Sequence, residues 1–228
     1  MAIYGGAFDP PTVDHMRLAA QILRSDEVDE VWLTPCGPRP DKKMATATHD
    51  RWAMCHVAVN SFFPPELPVK VCEVDVHRET AMFTYDMLKK LSLDFAKTHT
   101  FSFVIGTDWL QEESTDIRGW ESEEGITGHK LIQEFDFIVL RRPGYVVKGN
   151  LETFGPRFKY LNVDGGYELI EGNGSSTEVR QRLRSTKDVY SVAGLVPSGV
   201  LGYIKRQNLY VHDTDSSSPR IIIRKQQN

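Results

Sequence analysis

Three kinds of feature are scarce in this 228-residue sequence. Cysteine occurs only at Cys36, Cys55 and Cys72. An odd count without metal-ligand spacing gives neither a disulfide framework nor a thiolate zinc site, and reads as reduced, mostly buried thiols of an intracellular protein. Positive charge is not in excess: 27 Lys and Arg stand against 31 Asp and Glu, for a net charge of −4. That balance argues against a generic nucleic-acid binder, but not against small anionic ligands, for which a few local cations suffice. No run approaches the roughly 18 apolar residues of a membrane span, and no internal repeat is visible. The chain opens directly on a short strand rather than a leader, so the expected location is the cytoplasm, with the nucleus left open. What is present is ordinary for a globular protein: 40% hydrophobic and 25% charged residues. That is length enough for one well-buried domain, expected over 1–210, with a tail over 211–228.

The chain is organised around its first fifteen residues, MAIYGGAFDPPTVDH. Ile3 and Tyr4 begin a strand, Gly5 and Gly6 a turn, and Phe8, Asp9, Pro10 and Pro11 lead to Thr12 and His15. Met16, Leu18, Ala19, Ile22 and Leu23 follow at helical spacing. A strand, a glycine turn and a helix start aim backbone N–H groups at one spot that favours phosphate. Glycine lets the backbone approach the ligand. Thr12 and His15, three apart at the helix start, can face that same spot, and a histidine can donate to a phosphate oxygen.

Further strands are expected at Val31–Pro35, Val69–Val76, Phe101–Ile105 and Phe135–Leu140, alternating with helices from His49, from about Glu79 to Leu91, from the Ser175-Ser176-Thr177 cap and from Val196-Pro197-Ser198. Leu161–Val163 and Tyr167–Ile170 are candidate short strands. This alternation predicts an α/β, doubly wound, Rossmann-like, mostly parallel sheet with helices on both faces. Such a sheet binds ligands beyond the carboxyl ends of its strands. The polar candidates Gly106, Asp108, Arg142 and the helix start at Ser175 all fall at or near such ends. Three hydroxyls with Arg180 one turn on make a second anion site, or else a capped surface helix with solvated arginines. Trp32, Trp52 and Trp109 read as core. His49, His56, His77, His99, His129 and His212 show no metal-ligand spacing.

GGAFDPPTVDH resembles the (H/T)xGH signature of the nucleotidyltransferases, with Thr12 at its first position and Asp14 in place of its glycine. Over roughly residues 1 to 210 the chain is similar to nicotinate/nicotinamide mononucleotide adenylyltransferases. SSTEVR resembles their ISSTxxR motif, with Gly174 where Ile is common. GTDWL with Trp120, FDFIVLRRPGY, PRPDKK, MFTYDML and LVPSGVLGYIKRQNLY match further blocks in the same order.

The resemblance implies transfer of AMP from ATP to a pyridine mononucleotide, giving NAD or deamido-NAD and pyrophosphate. His15 would stabilise charge on the α-phosphate and Thr12 would bond a phosphate oxygen. Lys42 or Lys43, with Lys43 favoured, would reach ATP phosphates, as would Arg180 with Ser175, Ser176 and Thr177. Gly5, Gly6 and Phe8 belong to the phosphate turn, and Gly106 and Asp108 to the ATP ribose. Phe83, Thr84 and Trp120 would hold the pyridine, while Arg142 either joins them or ends its strand. Mg²⁺ is implied as a cofactor carried by ATP rather than by protein ligands, with Asp14 as an outer partner. The implied partners are ATP and the mononucleotide, without nucleic acid or membrane; self-association is left open, as is acid or amide preference. Two alternatives stand: a phosphopantetheine adenylyltransferase, towards which Thr12 leans but which lacks the RPG and C-terminal blocks, and a nucleotide-binding sensor without turnover, to which Thr12 and Asp14 point.

Overall fold

The structure is a computed structural model that describes residues 1–25, 27–39, 43–111, 115–142, 144–148, 150–162 and 174–211. In chain order the strands are β1 (Ala2–Gly6), β2 (Val31–Pro35), β3 (Val69–Val71), β4 (Ser102–Gly106), β5 (Leu110–Gln111), β6 (Thr115–Asp116), β7 (Glu121–Ser122), β8 (Gly125–Ile126), β9 (Asp136–Leu140) and β10 (Phe158–Tyr160). The helices are α1 (Val13–Leu23), α2 (Thr48–Phe62), α3 (Thr84–Asp94), α4 (Gly128–Glu134), α5 (Ser176–Thr186) and α6 (Ser198–Gln207).

Six strands form one parallel sheet in the order β10-β9-β4-β1-β2-β3. β5 with β6 and β7 with β8 make two small antiparallel pairs. The order reverses between β1 and β4, which opens a crevice at their carboxyl ends. The expected doubly wound α/β sheet is thus the one found.

Period-two alternation sends neighbouring strand residues to opposite cores. Ala2, Tyr4, Leu33 and Val104 join a core with Met16 and Ile22 of α1, Met54 of α2, Leu183 of α5 and Ile204 of α6. Ile3, Phe103 and Phe137 face the other core with Leu88 of α3 and Leu131 of α4. Burying one such large side chain contributes about 1.5–3 kcal/mol, so either layer alone is a substantial anchor for the strand ends. Gly199 lets α6 pack closely on α2: a Cβ there would lie 2.5 Å from Val57. No helix among the described residues is long and apolar enough to cross a membrane.

Two expected strands are corrected. β3 ends at Val71, not Val76, because the chain then turns. The Asp75 carboxylate accepts the N–H groups of Gly37 and Met82, both at 2.7 Å, and that local capture replaces strand pairing. The strand expected at Leu161–Val163 lies earlier, at Phe158–Tyr160. There Phe158 stacks on Phe137 at 4.3 Å and Arg141 covers Tyr160 at 4.0 Å, so aromatic packing rather than the aliphatic run sets the register. Val163, Tyr167–Ile170 and the tail beyond Val211 lie outside the described residues.

Candidate active site

β1 delivers Gly5 and Gly6 to the crevice. A Cβ on Gly6 would lie 3.0 Å from the Phe8 ring, so a side chain there would displace the ring that floors the turn. Phe8 itself is buried at φ 46°, with its ring edge-on to Tyr4 at 5.5 Å and to His15 at 5.1 Å. Thr12 caps α1, and the cap is reciprocal. His15 N–H donates to Thr12 Oγ1 at 3.4 Å, while Thr12 N–H donates to His15 Nδ1 at 2.9 Å. The Thr12 hydroxyl also lies 2.8 Å from Nδ1.

Because Nδ1 accepts, the proton of the neutral ring is assigned to Nε2. Burial, followed by the Arg142 charge, pushes the His15 pKa down to about 4, with Asp14 opposing. His15 is therefore a neutral N–H donor at physiological pH. Its folded value lies below the ordinary 6.5. The stability it contributes is full above pH 6.5 and is lost as pH falls towards 4. Unfolding midpoints measured across that window should fall with pH in the wild type and fall less in His15→Gln.

The crevice holds a cavity of about 590 Å³, lined by Gly5, Gly6, Phe8, Asp9 and His15 from the first turn. Lys43 reaches it from the loop after β2, Arg142 from the end of β9, and Ser176, Thr177, Arg180 and Arg184 from α5. Ser175 does not line it: its hydroxyl caps α5 by accepting Glu178 N–H at 3.1 Å. Ser176 donates its hydroxyl to Pro10 O at 2.8 Å, so what it offers a ligand is its first-turn N–H. Arg180 donates to Asp9 O at 2.6 Å and to Thr177 Oγ1 at 3.1 Å, and its five-donor fork keeps N–H groups for an anion. Thr12 is buried as the cap and lies outside the lining.

Asp9 ties this turn to the lysine loop. Its carboxylate accepts Ala45 N–H at 2.7 Å, the Thr46 hydroxyl at 2.8 Å and the Tyr210 hydroxyl at 2.7 Å. Burial pushes the Tyr210 phenol well above its ordinary pKa, so it stays a donor. On the other side Arg142 pairs with Asp108 at 3.3 Å. Gly106 makes room for that pair, since a Cβ would meet Asp108 Oδ1 at 2.2 Å and Arg142 Nε at 2.8 Å. Arg142 thus lines the cavity, apart from the other three residues expected at the pyridine.

Those three do not line the cavity. Phe83 is 42% exposed at the start of α3, with Thr84 its first residue. Glu123 N–H donates to Asp86 of α3 at 2.9 Å, which ties that helix start to the segment after Trp120. Trp120 is half-buried and edge-on to Trp109 at 5.3 Å. Trp109 is 36% exposed rather than core, because its 3-10 turn follows β4 straight to the rim. Trp32 and Trp52 are half-buried. Asp14 does not line the cavity. Its carboxylate is engaged with Gly174 N–H at 2.9 Å and Arg17 at 3.3 Å. Lys42 lies outside the described residues. Cys36, Cys55 and Cys72 are free, as expected. Among the described residues no group of three or more His, Cys, Asp or Glu side chains is placed to hold a metal.

Sequence reasoning missed Arg51. It is fully buried beneath the turn, donating to Ala7 O at 2.8 Å, Cys36 O at 2.6 Å and Thr48 Oγ1 at 3.1 Å. Among the described residues no carboxylate forms an ion pair with it. Asp75, joining the loop after β2 to the residues before α3, was missed as well. Tyr4 and Arg184 also line the cavity unannounced. For Arg184 the spacing was a usable signal, since it lies one helical turn beyond Arg180.

The cavity can therefore hold a polyphosphate between the glycine turn, the α5 N-terminus, a neutral histidine donor and several cations. Comparison with known proteins agrees with that chemistry. The Cytidylyltransferase-like family matches residues 3–182. A probable nicotinate-nucleotide adenylyltransferase of Oceanobacillus iheyensis is 30% identical over 211 residues, 92% of this chain and 96% of the relative. One from Halalkalibacterium halodurans is 28% identical over 223 residues, 97% and 96% of the two chains. Among solved structures, Plasmodium falciparum nicotinic acid mononucleotide adenylyltransferase complexed with NaAD superposes with a TM-score of 0.72, at 26% identity over 92% of this chain and 96% of the other. The same enzyme complexed with APC gives 0.69 at 25% identity and the same coverage. With its glycine turn, its capped histidine and most of its length matched, the chain belongs to the cytidylyltransferase-like family and groups with its nicotinate-nucleotide adenylyltransferases.

Proposed function

We propose that this protein is an adenylyltransferase that joins ATP to nicotinate mononucleotide. The observation that carries the proposal is one cavity at the end of β1, with His15, Ser176, Thr177 and Arg180 on its walls. The mononucleotide 5′-phosphate oxygen attacks the α-phosphorus of ATP. The bond to the β-phosphate oxygen breaks and pyrophosphate leaves. A phosphate is already a competent nucleophile, so the protein positions and stabilises charge rather than removing a proton. His15 Nε2–H donates to an α-phosphate oxygen as charge builds there. The first-turn N–H groups of α5 and the Arg180 fork hold the β- and γ-phosphates. Lys43 and Arg142 add charge on either side.

Mg²⁺ is the cofactor such a reaction implies. Asp9 is already used by three donors and the rest of the lining is cationic or neutral. That donor set suits a metal that arrives on ATP and keeps oxygen ligands from phosphate and water.

Pyrophosphate release measured with ATP and each candidate acceptor tests the reading. Nicotinate mononucleotide should turn over with the highest kcat/KM, in line with the names of the relatives. Turnover only with phosphopantetheine, or ATP binding without pyrophosphate, would overturn it. Arg180→Ala should raise KM for ATP by about 10- to 100-fold, the worth of charged hydrogen bonds of about 1.5–3 kcal/mol, and leave KM for the mononucleotide alone.

A further inference from the structure

Asp14 is an acidic side chain in the first turn of α1, beside a cavity built for anions. A carboxylate in that neighbourhood repels phosphate unless it is engaged elsewhere. It is engaged: Oδ2 accepts the Gly174 N–H at 2.9 Å across a separation of 160 residues. Its side chain is only 24% exposed, and Arg17 holds the other oxygen at 3.3 Å. Gly174 is buried and directly precedes Ser175, the cap of α5. A Cβ at Gly174 would lie 2.8 Å from Asp14 Oδ2, so the close approach exists only because residue 174 has no side chain. The two positions that depart from the motif patterns in the sequence thus meet in the fold and fit one another.

We propose that Asp14 and Gly174 form a latch that fixes the α5 helix start against the α1 helix start, making Asp14 a positioning residue for the ATP triphosphate. The proposal rests on the adenylyltransferase reading. Val13 N–H to Leu195 O at 2.9 Å, Ser176 to Pro10 O and Arg180 to Asp9 O hold the same seam. Asp14 is the member whose carboxylate reaches from α1 to the chain entering the cap. A charge-assisted bond to a backbone N–H is among the stronger neutral-to-ion contacts, and it acts on the helix whose Ser176, Thr177 and Arg180 face the cavity. Through that helix Asp14 controls the β- and γ-phosphate subsite without touching it.

Steady-state kinetics in both directions test the latch. Asp14→Ala should raise KM for ATP and for pyrophosphate by about tenfold while leaving KM for the mononucleotide at the wild-type value. Asp14→Asn keeps an acceptor oxygen and should restore most of the loss. Gly174→Ala pushes the carboxylate off its partner and should reproduce the same split; it also reads the latch should Asp14→Ala fail to fold. The double variant should be no worse than the worse single one, since both remove one contact. Unchanged ATP and pyrophosphate KM, higher activity in Asp14→Ala, an Asn variant as weak as the Ala variant, or additive losses would each overturn the proposal. A wild type that binds ATP but releases no pyrophosphate would instead overturn the functional reading. ATP affinity measured by calorimetry on the same variants would then decide on the latch, by the same pattern of losses.

Discussion

His15→Ala is expected to lower kcat and kcat/KM together by about 10²- to 10³-fold, the cost of one donor aimed at developing negative charge. KM for the mononucleotide should stay where it is, because the lost contact is made to the phosphorus under attack. The sharper test is the kind of donor. Nδ1 is occupied by the Thr12 N–H, so the donor expected to serve catalysis is a neutral Nε2–H. His15→Gln presents a neutral N–H at a similar reach and should recover part of the lost rate. Thr12→Val removes the hydroxyl beside Nδ1 but keeps the backbone N–H that holds the ring, and should cost less than losing the ring itself. With a free-enzyme pKa of about 4, His15 should leave no ionisation in the kcat/KM profile between pH 5 and 8. An inflection near pH 6.5 that disappears in His15→Ala would mean that the imidazolium does the work, and the neutral-donor account would be wrong.

Arg51→Met is expected to be the most destabilising single change in the phosphate-binding turn. Methionine fills much of the same space, so packing alone would make the exchange nearly neutral. The guanidinium, however, is the partner of the Ala7 and Cys36 carbonyls and of the Thr48 hydroxyl in a fully buried position. Each buried neutral acceptor left without a partner costs about 1–3 kcal/mol, so losing the guanidinium should cost about 3–5 kcal/mol in all. At about 2–4 °C per kcal/mol for a protein of this size, Tm should fall by roughly 10 °C. Arg51→Lys keeps the charge but not the fork, and one ammonium cannot span both carbonyls as well, so it should lie between the two. Thermal and urea unfolding check this. A Met variant within about 1 kcal/mol of wild type would show that the carbonyls find water instead and that the arginine is not what shapes the turn.

Arg51 also shows where the sequence stops being informative. An arginine three residues into a helix reads as solvated, and nothing near it in the chain announces carbonyl partners 44 and 15 residues away. Asp75 is opaque for the same reason: its partners, Gly37 and Met82, lie in two different loops. By contrast, Gly5, Gly6, Phe8, Thr12 and His15 were legible because their geometry is local, a strand running into a turn and a capped helix. The α5 hydroxyls were legible as a cap but not in their division of labour. Which of Ser175 and Ser176 faces the cavity depends on a bond to Pro10, 166 residues away. The doubly wound order could be read from alternating strands and helices, whereas the early end of β3 could not, since a single carboxylate decides it. Trp109 was misplaced because bulk hydrophobicity favours a core, while its position just past a strand end puts it on the rim.

The contact between Tyr210 and Asp9 spans 201 residues and closes on a Tyr210 backbone held at φ 66°. A left-handed tyrosine costs about 1–2 kcal/mol, which the buried bond to the carboxylate must offset. Protein synthesis runs from the amino end, so Asp9 leaves the ribosome long before its phenol partner exists. Until α6 and Tyr210 have been released and have docked, the Asp9 carboxylate lacks one of its three donors. Completion of this end of the cavity thus waits on the arrival of Tyr210, and a nascent fragment carrying every glycine and histidine of the first motif still lacks that contact.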